Sequence, residues 1–318
     1  MPSRTRPVLK AGFETTGSTR WIIQAITSLG LDHKQGFALD LQLHQQQGDA
    51  YRTAPEAALH AGAIDLIDTD WLSICRARAA GTPLVAGCPY GRIMGGLVAR
   101  VAADIPTLEC LRERRVGLLR ETDKNWKVLR AWAKQAHGFD PAAHCEIQVI
   151  PSKSDLEARL QDGRIDAAII FWHRIPQLLS TPGLHEVCDV VDLVEALIGT
   201  SPATTFFAFR EAYIASHPQV VAGFCRAYGE AIQTLIEQPT VWSSIVGLPP
   251  SDARDDLYSR WQKRMVTQWS AQDFEHLVQL HEQVCKIDER PLAAPASHWF
   301  RPVPAANMAN SVLREAQP

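Results

Sequence analysis

Five short stretches combine polar side chains with an aromatic ring: Phe13 to Thr19, Asp68 to Trp71, Pro89 to Arg92, Glu121 to Trp126 and Phe171 to Arg174. In the first, Thr15, Thr16, Gly17 and Thr19 can offer hydroxyls and backbone N–H groups to an oxyanion such as a sulfonate or carboxylate. The same atoms would serve equally to cap a helix. Asp70 can cap a helix or bind a ligand amine or hydroxyl. His173 and Arg174 can face an anionic group or simply begin a solvated helix. Each stretch carries an aromatic: Phe13, Trp71, Tyr90, Trp126 and Trp172. Aromatics in polar turns forfeit burial, so a stacking wall for a flat or apolar ligand body competes here with membership of the core. Glu14, Asp68, Asp70, Glu121 and Asp123 could instead gather around a cation.

Other chemistries find no support. No Gly-x-Ser-x-Gly elbow occurs, and no cysteine lies in a nucleophile motif. His185-Glu186 and His281-Glu282 lack the second histidine of a zincin and are set aside as metal ligands. The seven cysteines are dispersed without a Cys-x-x-Cys pair, which reads as free, mostly buried thiols and leans toward a reducing compartment. With 32 Lys and Arg against 35 Asp and Glu, the net charge of −3 offers no electrostatic case for nucleic acid. No apolar run approaches the roughly 20 residues of a membrane span. Met1 to Arg6 is basic without an apolar segment behind it, so no export signal is read from the sequence as written.

The elements that would position these stretches alternate. Pro7 to Ala11 reads as a strand, and Ile22, Ile23, Ala25, Ile26 and Leu29 as one face of a helix that Ser18 or Thr19 would cap. Gly17 would let backbone approach closely. Phe37 to Leu43 is a strand, Gln45 to Asp49 a polar loop and Ala54 to Ala61 a helix. Strands at 63–67 and 84–88 complete a first unit with the pattern of a parallel α/β sheet. Strands at 94–101, 115–119, 145–150, 165–171 and 187–191, with helices between them, make a second. Thr204 to Phe209 carries the chain back, and helices follow from Pro218, near 241–246, 252–265 and 271–284. The tail from Pro291 reads as irregular. At 318 residues the chain can form two lobes. The five polar stretches then follow strand ends in both, where open α/β sheets bind ligands.

Several runs resemble the solute-binding proteins of ABC importers for nitrate, sulfonates, taurine and thiamine precursors. They are Leu9-Lys10-Ala11-Gly12, Gly62 to Ile67 with Asp68-Thr69-Asp70-Trp71, Ile105 to Leu111 through Arg115 to Leu119, and Leu160 to Ala168 ending in Phe171-Trp172. Glu14-Thr15-Thr16-Gly17 and Asp123-Lys124-Asn125-Trp126 add a narrower likeness to one subgroup of uncharacterised binding proteins. The resemblance reaches to about Val284. It implies a two-lobed type II periplasmic-binding-protein fold, each lobe a mixed, mostly parallel sheet flanked by helices. Lobe 1 would comprise residues 1–92 and 204–318, and lobe 2 residues 93–203, hinged to close on one small molecule. It further implies a permease partner and a periplasmic setting. The missing export signal and the seven cysteines sit against export and keep a cytoplasmic setting open. Thiamine-pyrimidine synthases of the same fold carry a cysteine-rich motif absent here.

The main expectation is a binding protein for a small organic ligand (sulfonate, carboxylate or heterocycle), with no cofactor, no metal and no covalent chemistry. Its expected contacts are Phe13, Thr15, Thr16, Gly17, Thr19, Asp70, Trp71, Tyr90, Asp123, Asn125, Trp126, Trp172 and His173. The alternative is an enzyme on the same fold acting on a heterocycle, with Asp70, His173 or Asp123 as general acid or base. A metal-ion carrier using the turn carboxylates is the third reading.

Overall fold

The structure, a computed structural model, describes residues 6–44, 54–288 and 291–301. The polar loop expected at Gln45 to Asp49, and the tail beyond Arg301, lie outside the described residues. Among the described residues, ten strands form two five-stranded sheets. They are β1 (Val8–Glu14), β2 (Ala38–His44), β3 (Leu66–Asp70), β4 (Leu84–Gly91), β5 (Gly95–Arg100), β6 (Arg115–Leu118), β7 (Glu146–Val149), β8 (Ala167–Phe171), β9 (Leu184–Asp189) and β10 (Thr205–Arg210).

The two sheets share one plan. The first has the order β2-β1-β3-β10-β4 and the second β7-β6-β8-β5-β9. In the first, β1 runs parallel to β2 and β3, and β10 is antiparallel to both its neighbours. In the second, β6 runs parallel to β7 and β8, and β5 is antiparallel to both its neighbours. In each sheet the reversed strand is the one that arrives by crossing from the other: β5 directly after β4, β10 after β9. The parallel pattern read from the first 92 residues is therefore interrupted by a strand that lies more than 100 residues later in the chain.

Burial explains which strands are central. β8 and β10 are continuous apolar runs with all but their last residue buried, whereas the edge strands β2 and β7 are half-buried to exposed. β4 is an edge strand yet buried throughout, because Ala86 bridges to Phe300 and Gly91 to Met265. The C-terminal segment thus covers an edge that would otherwise offer free backbone groups.

The crossing from β4 to β5 is tightly seated. A Cβ on Gly91 would lie 2.9 Å from the Arg264 carbonyl oxygen, and one on Gly95 would lie 2.6 Å from Cγ of Asn125. Neither position has room for a side chain.

The C-terminal helices do not stay with one sheet. Pro218–Glu237 packs on Thr19–Ser28 beside the first sheet. Asp252–Arg264 packs on the short helix Ile175–Leu179, and Ala271–Cys285 packs on Lys124–His137 and Val190–Ile198, all of the second unit. One core cluster accordingly contains Trp71, Leu72, Trp126, Val128, Val194 and Leu280 together.

Three expected boundaries move. Asp68 and Thr69, read as a turn, belong to β3, and Pro89 to Gly91 belong to β4. Both strands are prolonged by pairing with Thr205 at the start of β10. Val190 and Val191, read as the end of a strand, open the helix Val190–Ile198, because the Asp189 side chain accepts from Val191 N–H and caps it.

Candidate ligand-binding cleft

A cavity of about 120 Å³, partly open to solvent, lies between the strand ends of the two sheets. From the first sheet and its flank it is lined by Phe13, Glu14, Gly17, Ser18, Thr19, Pro55, Glu56, Asp68, Thr69, Asp70, Tyr90 and Thr205. Met94, Arg120, Lys124, Lys153, Phe171, Trp172 and His173 line it from the second. Among the described residues, every lining carboxylate therefore comes from one side and every lining lysine or arginine from the other.

On the first side, the Ser18 and Thr19 hydroxyls do not cap the helix Thr19–Ser28, contrary to expectation. Ser18 Oγ instead lies 3.2 Å from Tyr90 Oη, and Thr19 Oγ1 donates to Asp68 Oδ2 at 2.7 Å. The helix start is thus held to β3 and β4 by side chains. Gly17 has ordinary space around its Cβ direction and no left-handed backbone, so glycine is not sterically required there. Asp70 does cap its helix, accepting from Ser73 N–H at 2.9 Å, and sits 3.8 Å from Lys124 Nζ.

On the second side, Asp123 caps Lys124–His137 by accepting from Asn125 N–H at 2.7 Å and from the Asn125 amide at 2.8 Å. That fixes Lys124 in the first helical turn, aimed at the cavity. Lys153 begins the helix Lys153–Gln161, capped by Ser152, and donates to Glu14 Oε2 at 2.6 Å and Thr16 Oγ1 at 3.2 Å. His173 Nε2 lies 3.0 Å from the Thr16 carbonyl oxygen, which makes Nε2 the protonated nitrogen and leaves buried Nδ1 an acceptor with no partner among the described residues. These contacts tie the two walls together at the mouth.

The charges respond to this setting. Burial lifts the Asp68 carboxyl to about 6; Glu14 adds to the rise, while the Thr19 hydroxyl and Lys124 oppose it. Burial also acts to raise Asp70, but Lys124, Arg76 and Arg120 overcome it and hold it below the usual carboxylate range. His173 is pushed down to about 3 by burial, with Lys153 and Arg174 adding to the effect, and is neutral near pH 7. Burial opposes the Arg120 charge, yet the carboxylates of Asp123, Asp70, Glu56 and Glu14 more than offset it. Among the described residues the Arg120 side chain has no hydrogen-bond or ion-pair partner.

Of the residues expected from sequence, Phe13, Gly17, Thr19, Asp70, Tyr90, Trp172 and His173 line the cavity. Thr16 bridges its walls from the rim. Thr15 stands aside, its N–H donating to the His44 carbonyl and its own carbonyl accepting from Arg20. Asp123 and Asn125 hold a helix start behind the wall. Trp71 and Trp126 are fully buried in the core and do not reach the cavity. Burying an indole removes about 150–250 Å² from water, worth several kcal/mol at roughly 25 cal/mol per Å². A ligand stack contributes roughly 0.5–1.5 kcal/mol beyond burial, so the core wins these two side chains.

The chain also matches a known family model, described as NMT1/THI5 like, over residues 33–241, which include most of the cleft's lining but not Phe13 to Thr19. The chain belongs to the NMT1/THI5-like family. The matched region contains all the strands except β1. No curated protein matches the sequence. Among solved structures, the fold is similar to the periplasmic aliphatic sulphonate binding protein SsuA from Escherichia coli, with TM-score 0.71, 16% identity and 94% of each chain covered. The alkanesulfonate-binding protein SsuA from Xanthomonas axonopodis pv. citri, bound to MOPS, gives TM-score 0.71 and 15% identity over 94% of this chain and 99% of that one. A ligand-binding component of an ABC-type import system from Staphylococcus aureus, with zinc bound, gives 0.70 and 14% over 93% and 97%. The type II binding-protein fold expected from the sequence is thereby established. Among the described residues no group of three or more His, Cys, Asp or Glu side chains is placed to hold a metal ion.

For this member of the NMT1/THI5-like family, sequence reasoning passed over Arg120, Lys124 and Lys153. One signal was present. Lys124 and Lys153 each occupy the first position of a helix, where a cation opposes the helix dipole. Two lysines placed against that preference were the pointer to the second wall.

Proposed function

We propose that the protein is the solute-binding component of an ABC importer and holds a small organic anion in the cleft between two lobes. The observation that carries this reading is the second wall of the cavity. Arg120, with no hydrogen-bond or ion-pair partner among the described residues, and Lys124, only loosely placed against Asp70, face a space flanked by Phe13, Phe171 and Trp172. A guanidinium and an ammonium suit a sulfonate or carboxylate head, and the rings suit an apolar or flat body. The similarity in fold to proteins named for sulfonate binding supports the same class of ligand. Residues 1–92 with the strand Thr205–Arg210 would belong to one lobe and 93–203 to the other, a division supported by sheet membership, whereas the helices Asp252–Arg264 and Ala271–Cys285, expected in the first lobe, pack on the second. Thr16, Lys153 and His173 would latch the closed state.

Binding without covalent chemistry is supported by the cysteines. All seven are free, and burial pushes the Cys75 and Cys188 thiols to about 12 and Cys145 to about 11, far from thiolates near pH 7. A permease partner and a periplasmic setting follow from the same reading; no helix among the described residues is long and apolar enough to cross a membrane.

The test is calorimetry of the full chain with alkanesulfonates and alkanecarboxylates, and mass spectrometry of any ligand released from the purified protein by denaturation. Binding of an anion, weakened at least about tenfold by Arg120→Met and recovered chemically unchanged, is the expected result. Undiminished affinity in Arg120→Met removes the proposal, and a ligand returned chemically altered removes the non-enzymatic part of it.

A further inference from the structure

A cleft opens by a hinge only if the surfaces facing each other can part. Three sets of contacts cross between the two units. At the mouth are the polar ones, from Lys153 and His173 to Glu14 and Thr16. Deeper lies Trp172, which follows β8 of the second sheet yet belongs to an apolar cluster with Trp21, Tyr90 and Phe207 of the first unit. It is 1% exposed, and its ring centre lies 6.1 Å from that of Trp21, edge to face.

The third set is made by the helix Asp252–Arg264. Toward the second unit, Arg260, Arg264 and Lys263 hold Glu186, Asp189 and Asp192 at 2.6–2.7 Å. Toward the first, the rings of Tyr258 and Trp261 lie 4.8 and 6.2 Å from that of Trp242, which is itself 6.4 Å from Trp21. Tyr258 Oη lies 3.2 and 3.1 Å from the carbonyl oxygens of Leu235 and Ile236, at the end of the helix Pro218–Glu237. Arg264 also stands 5.6 Å from the Trp172 ring centre, which joins the second and third sets.

The three sets respond differently to parting. Water replaces the polar contacts at the mouth with small net loss. It offers nothing to an indole, and drawing Trp172 away from Trp21 would return up to about 250 Å² to solvent. The helix Asp252–Arg264 cannot follow both units at once. If the second unit swings away, either the ion pairs break or Tyr258 and Trp261 leave Trp242.

We infer that the two lobes stay together without ligand, held by Trp172 and the helix Asp252–Arg264, and that ligands exchange through a mouth that parts locally. This departs from the hinged closure that the sequence resemblance implies. It holds whichever molecule the cleft takes, because none of the deeper contacts needs a ligand. No closing equilibrium then stands between the free and the bound protein.

The experiment is pulsed electron spin resonance on the full chain. Spin labels are carried by non-natural amino acids at Gln24 and Ala158, exposed positions on the helices Thr19–Ser28 and Lys153–Gln161 that begin at the two walls. The ligand-free protein should give one narrow distance distribution, and millimolar propanesulfonate should shift its mean by less than its width. Lys153→Met with His173→Leu, which removes the polar contacts at the mouth, should leave the distribution in place. Trp172→Ala should broaden it toward longer distances, with a melting curve checking that the variant folds. A broad ligand-free distribution that shortens with propanesulfonate overturns the inference. So does a mouth variant that opens the protein, or a folded Trp172→Ala that stays narrow. If Trp172→Ala does not fold, the wild type and the mouth variant still decide. Calorimetry with propanesulfonate reads anion binding separately, so that reading stands or falls on its own.

Discussion

At the scale of single residues, the cleft holds two groups whose protonation responds to burial in opposite senses. Asp68 titrates at about 6 in the folded chain against 3.8 for the free side chain. Its folded state binds the extra proton between those values, so it contributes stability that is full in acid and lost as the pH rises toward 6. His173 titrates at about 3 against 6.5. There the unfolded chain binds the extra proton, and the stability contributed above 6.5 is lost as the pH falls toward 3. The two partly offset each other between about 4 and 6. Asp68→Asn should therefore raise the melting temperature of the ligand-free protein at pH 7 and leave it nearly unchanged at pH 4. A thermal melt series across that range checks it; a variant less stable than wild type at pH 7 contradicts the assignment. Sequence could not show these shifts. Asp68 and His173 lie about a hundred residues apart in the chain, and their environment is made by whichever elements the fold brings between them.

At the scale of elements, helix starts were legible only in part and strand ends least. Asp70 caps its helix, because a cap needs only a short side chain and the next turn, but Ser18 and Thr19 are drawn away from theirs to Tyr90 and Asp68. The ends of β3 and β4 were misjudged because β10, more than 110 residues after β4, extends both. Local pattern carries no trace of such pairing. Trp71 and Trp126 were open choices for a like reason: each follows a cap into a helix's first turn, and only the single core cluster that joins residues of both units decides that they are core. The Asp123 cap makes a prediction at this scale. Asp123→Ala removes the hydrogen bonds to Asn125 N–H and amide, and Asn125 itself wedges against Gly95. Stability should fall by about 1–2 kcal/mol, the usual worth of such a cap. Because Lys124 is the next residue, affinity for an anionic ligand should fall with it. Denaturant melts and calorimetry on the same variant measure the two effects, and an unchanged affinity would separate the cap from the site.

At the scale of the molecule, both crossings and the C-terminal helices converge on Arg264. Its side chain is 0% exposed and pairs with both oxygens of Asp189 at 2.6 Å, at the end of β9. Its guanidinium lies 5.6 Å from the Trp172 ring centre, on the wall of the cleft. Its carbonyl accepts from Arg92 N–H in the crossing from β4 to β5. One residue on the helix Asp252–Arg264 therefore joins the crossing segment, the edge of the second sheet and a lining aromatic. Arg260 to Glu186 and Lys263 to Asp192 reinforce the same contact from the same helix. Breaking a buried pair by deleting one partner costs about 3–5 kcal/mol, because the other charge is left uncompensated. Arg264→Met should be near the lower figure, since Asp189 keeps the Val191 N–H and Lys263 stands 3.7 Å away. Loss of the cation beside Trp172 should also loosen that wall, so ligand affinity should fall together with stability. Asp189→Asn provides the control: it weakens the same pair while leaving the guanidinium over the ring, and should lower stability with a smaller loss of affinity. Equal affinity losses in the two variants would show that Arg264 acts only through the fold and not through Trp172.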